Sequence, residues 1–508
     1  MEAGTFEDPA EQIKTSNMSN RTSPLRVCML SAEARPYATD GGLADVVAAL
    51  PSSLADLGVE IRVFTPLYRQ VRKTARLVKI CDLPAVRMGS FSFPSALFGD
   101  EQQRPHRNYF IANDEFFDRD GIYNQPSTGE GYPDNFERFN FFMLAALDAL
   151  KQLQWAPDVI HCHDSQTALV PAYLKLARAN DPFFRGVATV FTIHNLAYQG
   201  VYDKAKYALT GLPADLFYPM GPFEFYGHLN LMKAGICYAD VLNTVSPQYA
   251  REIQTPEFGY GLDNVLRTRQ NDLYGILNGI DTKVWDPAND PLIFAPYSAE
   301  DLSGKRVNKE RLQDFCGFAV KPVPLFGIVS RLVEQKGIDL FLSLKDQLNR
   351  LDCQWVVLGT GLKKYHDALR EVARDNPDKF AVFLEFNSTL AHRIEAGADM
   401  FLMPSRYEPC GLNQIYSMRY GTIPVVRHTG GLADTVRDFN EKNGLGTGFK
   451  FNEYSSSELL KAILRAIEAW RDKSAWQKLI QNAMSEDFSW ERSARRYLEL
   501  YSKAITHS

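Results

Sequence analysis

Short apolar runs separated by amphipathic stretches set the pattern from residue 25 onward. Residues 25–30 (LRVCML) and 61–66 (IRVFTP) have the length and composition of buried strands, and apolar positions recur at helical spacing over 45–57 between them. Further strand runs fall at 159–163, 188–193, 239–246 and 274–279. Strands alternating with helices predict a parallel sheet in a doubly wound α/β fold. After a polar, charged stretch from Asp281 to about Lys321 the pattern restarts, with runs at 324–330, 355–359, 380–384, 400–404 and 423–426. The restart predicts two Rossmann-like domains facing a cleft, one over residues 25–275 and one over 276–487. Residues 489–502 form an amphipathic helix pattern with Trp490, Tyr497, Leu498, Leu500 and Tyr501 on it. No repeat of 20–50 residues is present, which excludes a solenoid.

Length agrees with that division, since 508 residues exceed what one hydrophobic core organises. Residues 1–24 are polar, carry Glu2, Glu7, Asp8 and Glu11, and lack an apolar h-region, so they read as a disordered tail and not as a secretory or transit signal. Asn17 and Asn20 match the glycosylation pattern but carry little weight without an export signal. A net charge of −5 argues against a nucleic-acid partner, which requires a basic face. No apolar run has the length of a membrane span. Seven cysteines, an odd number without a CxxC pair, suit reduced thiols in a cytoplasmic protein better than a disulfide frame or a zinc site.

In doubly wound sheets ligands bind beyond the carboxyl ends of the strands, and the polar clusters of this chain fall there. The first strand leads into Thr39-Asp40-Gly41-Gly42-Leu43-Ala44-Asp45. Two glycines opening a helix either let backbone N–H groups approach an anion or supply a tight turn with positive φ, and both readings stand. The segment is neither GxGxxG nor a P-loop, so no nicotinamide cofactor is expected. Arg331 and Lys336 lie on the loop after the first strand of the second half, where they can clamp a diphosphate or simply be solvated. His161, His163 and Asp164 end one strand, and His194 and Asn195 end the next. His161 and His163 share a strand face, yet no accompanying ligand motif supports a metal. Asp118-Arg119-Asp120 resembles a metal-holding DxD, but its Phe-rich loop marks it as a decoy. The densest cluster is Pro404 to Leu412 followed by Thr429-Gly430-Gly431, a carboxylate at a strand end and a second glycine pair that would offer N–H donors to a phosphate.

Seven motifs in order, GGLADV, HCHD, TIHNLAYQG, LNGID, SRLVEQKG, PSRYEPCGL and HTGGLADTV, resemble those of bacterial glycogen synthases and plant starch synthases, from about Leu25 to Tyr501. The resemblance implies a GT-B glycosyltransferase fold whose C-terminal helix, 488–508, packs back on the first domain. It implies metal-independent transfer of glucose from ADP-glucose to the non-reducing end of an α-1,4-glucan, with retention of configuration and no cofactor. His194 then matches the catalytic-loop histidine, Arg331 and Lys336 the diphosphate clamp, and Glu408 the carboxylate that holds glucose. Gly411, Leu412, Thr429, Gly430 and Gly431 match glucose and phosphate contacts. Gly41, Gly42, Asp164, Asn195 and Asn278 match groups around donor and acceptor. Cys410 lies in the same motif as either a contact or a packing residue. Retention with only Glu408 near the glucose suits a front-face route, because a double displacement needs two carboxylates about 5 Å apart.

Two positions depart from the family pattern. Thr39, followed by Asp40, stands where a lysine usually donates to the donor's phosphates, which predicts donor binding weaker by about 1–3 kcal/mol. Ser165 stands where tryptophan usually follows the HD pair. The alternatives these departures raise are a retaining transferase for another nucleotide sugar or acceptor, and a weakly active glucan-binding homologue.

Overall fold

β1 (Arg26–Leu30) is buried at four of its five positions, and its apolar run supports a strand covered on both faces. In the computed structural model, which describes residues 23–507 apart from Gln103, β1 centres a nine-stranded sheet. The expected disordered tail, apart from Ser23 and Pro24, and the patterns at Asn17 and Asn20 lie outside the described residues. β2 (Glu60–Pro66), β5 (Arg107–Ala112), β6 (Val159–His163) and β7 (Ala188–Ile193) extend the parallel core, with β3 (Leu77–Met88) and β4 (Phe91–Asp100) added antiparallel at one edge. Two residues each form β8 (Val201–Tyr202) and β9 (Glu224–Phe225), which flank β10 (His228–Asn230) in a separate small sheet. β11 (Val241–Thr244) and β12 (Leu273–Gly275) finish the large sheet, whose order is β12-β11-β7-β6-β1-β2-β5-β4-β3. The chain builds outward from β1 in one direction and then, from β6, in the other. That reversal beside β1 is a topological switch point.

The second sheet is six-stranded and wholly parallel: β13 (Leu325–Val329), β14 (Gln354–Leu358), β15 (Phe380–Phe383), β16 (Met400–Met403), β17 (Ile423–Arg427) and β18 (Phe449–Phe451). Its order, β15-β14-β13-β16-β17-β18, is the Rossmann order, with the switch point between β13 and β16. Trp355 is fully buried in this half and stacks on Phe326 with ring centroids 4.2 Å apart.

The chain divides into two units, Met1–Asn243 with Val265–Leu273 and Ser493–Ser508, and Thr244–Asn264 with Tyr274–Arg492. The sequence reading assigns residues 244–264 to the first domain. In the folded chain they pack with the second unit, where Ser246 Oγ and Gln248 N donate to Asp434 Oδ2 at 2.6 and 2.8 Å. The closing helix, Trp490–His507, puts Tyr497 and Tyr501 into the first unit, where the Tyr501 hydroxyl lies 2.9 Å from His161 Nδ1. Among the described residues no helix is long and apolar enough to cross a membrane.

Candidate active site

In the first unit the ends of β6 and β7 bring three imidazoles into one column. His161 and His163 share a strand face, with ring centroids 4.1 Å apart, and His163 Nδ1 lies 2.8 Å from His194 Nε2. One of those two nitrogens carries the proton that bonds them. His161 is committed on both sides, to Thr192 Oγ1 at 2.7 Å and to Tyr501. Burial pulls His161 down to about 3 and holds His163 and His194 well below the usual histidine range, so all three are neutral near pH 7. His163 Nε2 is buried without a hydrogen-bond partner, and among the described residues no cluster of three or more metal-ligating side chains forms.

Asp164 holds the loop that carries His194. Its backbone adopts φ 55°, uncommon for a residue with a side chain, and its Oδ1 accepts the His194 amide at 2.7 Å, with the Asn195 amide also directed to it. Asn195 Oδ1 in turn accepts the Ala197 amide at 3.1 Å. Burial, with the nearby Glu33 charge, pushes the Asp164 carboxyl well above the usual carboxylate range. Ser165 is buried, and a side chain on Gly200 would collide with it.

Glu33 escaped the sequence reading because nothing around it forms a motif. It is buried, and its carboxylate accepts the Asp40 and Gly41 amides, both at 2.8 Å, and the Tyr123 hydroxyl at 2.8 Å. An internal anion thus already occupies the first N–H groups of the glycine turn. Gly41 has φ −145°, and neither Gly41 nor Gly42 requires positive φ. The tight-turn explanation for this pair is therefore wrong. A Cβ at either residue would meet nothing within 4 Å, so open space lies beside the N-terminus of the fifteen-residue helix Gly42–Asp56.

In the second unit the loops after β13 and β16 are tied together. Arg406 N donates to Gln335 O at 2.8 Å, and Gly337, at φ 69°, lies so close to Pro404 O that any side chain would overlap it. This brings Lys336 Nζ to 2.6 Å from Glu408 Oε2, which also accepts Ser405 Oγ at 3.0 Å. The sequence reading gives the lysine to a diphosphate and the acid to a sugar; here they form one nearly buried ion pair. Arg331, by contrast, is exposed and has no ion-pair partner among the described residues.

The second glycine pair differs from the first. Gly430, at φ 43°, lies against Glu408 O, and Gly431 lies against Cys410 O, so both glycines are required by close backbone approach. Gly430 N donates to Glu252 Oε1 at 2.9 Å, Thr429 Oγ1 donates to Glu252 Oε2 at 3.1 Å, and Gly431 N donates to Glu408 O at 3.0 Å. The expectation of free N–H donors for a phosphate here is therefore corrected: these amides are already bonded within the unit. Burial pushes the Cys410 thiol up to about 12, so it is no thiolate nucleophile, and it contacts the Asn278 backbone. Asn278 Oδ1 and Ser330 Oγ are buried without a hydrogen-bond partner. Gly411, at φ 71°, and Leu412 lead into the Asn413–Arg419 helix. Asp118 and Asp120 both pair with Arg69 at 3.0 Å, and Arg119 pairs with Asp134, so this segment is an ion-pair network.

Residues 26–268 match a family model described as starch synthase catalytic domain, and residues 317–485 match glycosyl transferases group 1. The chain is 46% identical to a glycogen synthase of Thermotoga maritima over 493 residues, covering 95% of this chain and 99% of that one. It is 47% identical to glycogen synthase 2 of Geobacter sulfurreducens over 490 residues, covering 94% and 99%. Among solved structures, the catalytic domain of starch synthase IV from Arabidopsis thaliana, bound to ADP and acarbose, aligns with a TM-score of 0.86 and 32% identity, covering 95% of this chain and all of that one. Sucrose-phosphate synthase of Thermosynechococcus elongatus, 17% identical with a TM-score of 0.59 over 95% of this chain and all of that one, shares the fold.

Proposed function

Because the chain belongs to the glycogen synthase and starch synthase family of glycosyltransferases, we propose that it moves glucose from ADP-glucose to the non-reducing end of an α-1,4-glucan with retention of configuration. The observation that carries this reading is the Lys336–Glu408–Ser405 cluster with the unpaired Arg331 on the adjoining loop. The solved plant starch synthase with ADP and acarbose bound supports the same nucleotide and glucan chemistry.

The chemistry follows from the side chains. As the glycosidic phosphate bond breaks, charge builds on the diphosphate, and Arg331 and Lys336 are the cations that would stabilise it, so no metal is required in that role. Glu408 is the acid that would hold and orient the glucose. It stands paired with a lysine, and no second carboxylate accompanies it in that cluster, which favours front-face transfer over a covalent glycosyl intermediate. In that route the departing diphosphate accepts the acceptor's hydroxyl proton. His194, held neutral, would bond the transferred glucose without serving as an acid at neutral pH. Seven free cysteines suit a reducing, cytoplasmic location.

Turnover with ADP-, UDP- and GDP-glucose on glycogen tests the donor assignment. ADP-glucose should give the highest kcat/KM. A preference for either other donor would replace it with the same fold acting on another nucleotide sugar.

A further inference from the structure

We infer that Glu252 is a positioning residue for the Thr429–Gly431 turn, and through it for Glu408. The Pro247–Glu252 and Gly430–Thr435 helices exchange acid caps. Asp434 of the second accepts Ser246 Oγ at 2.6 Å and Gln248 N at 2.8 Å at the start of the first. Glu252, at the end of the first, accepts Thr429 Oγ1 at 3.1 Å and Gly430 N at 2.9 Å at the start of the second. Both helices are six residues long, too short to hold themselves by propagation. The first also has its own cap, Ser246 Oγ accepting the Tyr249 amide at 2.9 Å, whereas the second has no side-chain cap of its own and depends on Glu252.

The effect of the lock reaches the reacting cluster through backbone. Gly430 packs against the Glu408 carbonyl so closely that no side chain fits, and Gly431 N donates to that carbonyl at 3.0 Å. Glu252 is buried, and Gln248 Nε2 braces its Oε1 at 3.1 Å, which fixes the carboxylate. Releasing Gly430 and Thr429 therefore frees the segment against which Glu408 is set. This role rests on the proposed handling of glucose by Glu408.

Glu252→Ala should lower kcat with ADP-glucose at least tenfold, at temperatures well below its melting point, while KM for glycogen changes less than twofold. Glu252→Gln keeps an acceptor for the Gly430 amide and should stay within threefold of wild type. Asp434→Ala should act in the same direction, and the double variant should lose less than the product of the two. Hydrogen exchange gives a readout independent of turnover: peptides spanning 429–435 should exchange at least tenfold faster in Glu252→Ala and near the wild-type rate in Glu252→Gln. A wild type inactive on ADP-glucose would refute the proposed function, and the exchange experiment would still decide the role of Glu252. Unchanged exchange at 429–435 in Glu252→Ala, or wild-type kcat in an active enzyme, overturns the inference. So does a Glu252→Gln variant as impaired as Glu252→Ala.

Discussion

Lys336 Nζ donates to Glu408 Oε2 across 2.6 Å, with the lysine side chain 18% and the glutamate side chain 6% exposed. Each partner is then the other's counterion until a substrate intervenes. Removing one leaves a nearly buried charge without compensation, a loss larger than that of an exposed pair.

Lys336→Ala should therefore lower both turnover and melting temperature, while Glu408→Gln, which keeps a hydrogen-bonding side chain, should cut kcat by about 10²-fold. In a double-mutant cycle the two losses should be strongly non-additive. Additive effects on kcat and on thermal melting would show that the pair acts as two independent groups.

Arg331 provides the contrast, being exposed and unpaired. Arg331→Ala should change stability by no more than about 0.5 kcal/mol, as for other surface substitutions. It should nevertheless lower kcat at saturating donor, because its charge is needed most as the diphosphate departs. Wild-type kcat at saturation would remove it from the clamp.

The first glycine turn is open beside Gly41 and Gly42 but backed by the Glu33 carboxylate, with Asp40 alongside. Thr39→Lys with Asp40→Thr should lower donor KM, and the gain should shrink as salt rises. A donor KM unmoved at low ionic strength would mean that this turn does not meet the phosphates.

Buried neutral histidines make the fold acid-sensitive. The folded pKa of His161, about 3, lies below its unfolded value near 6.5, so the stability it contributes is present above pH 6.5 and is lost as pH falls toward 3. His161→Gln, which keeps a donor and an acceptor for Thr192 and Tyr501, should reduce the slope of stability against pH between 6 and 4 by about 1.4 kcal/mol per unit, one proton's worth. Chemical denaturation across that range measures it; an unchanged slope would contradict a neutral buried His161.

All the strands anticipated from apolar runs are present, because parallel strands covered on both faces leave continuous apolar segments. The Leu77–Met88 and Phe91–Asp100 hairpin was not legible, since β3 is exposed along much of its length and bends through register shifts. The apolar run at 274–279 yields only a three-residue strand, because the chain turns away after Gly275, which lies against Pro247. At the site, motif residues were legible as chemical types, but their partners were not. Glu33 and Glu252 are single acids whose meaning lies in which amides the fold presents to them, and that information is not local. The two GGLAD motifs read alike, yet one is open and the other is closed by contact with Glu408 and Cys410.

The most direct measurement is the linkage formed when ADP-glucose carrying ¹³C at the anomeric carbon is incubated with a malto-oligosaccharide and the enzyme. NMR of the product should show the label in a new α-1,4 linkage at the non-reducing end, with the α-configuration of the donor retained. A β-linked product, a label elsewhere on the chain, or no transfer at all from ADP-glucose would contradict the account.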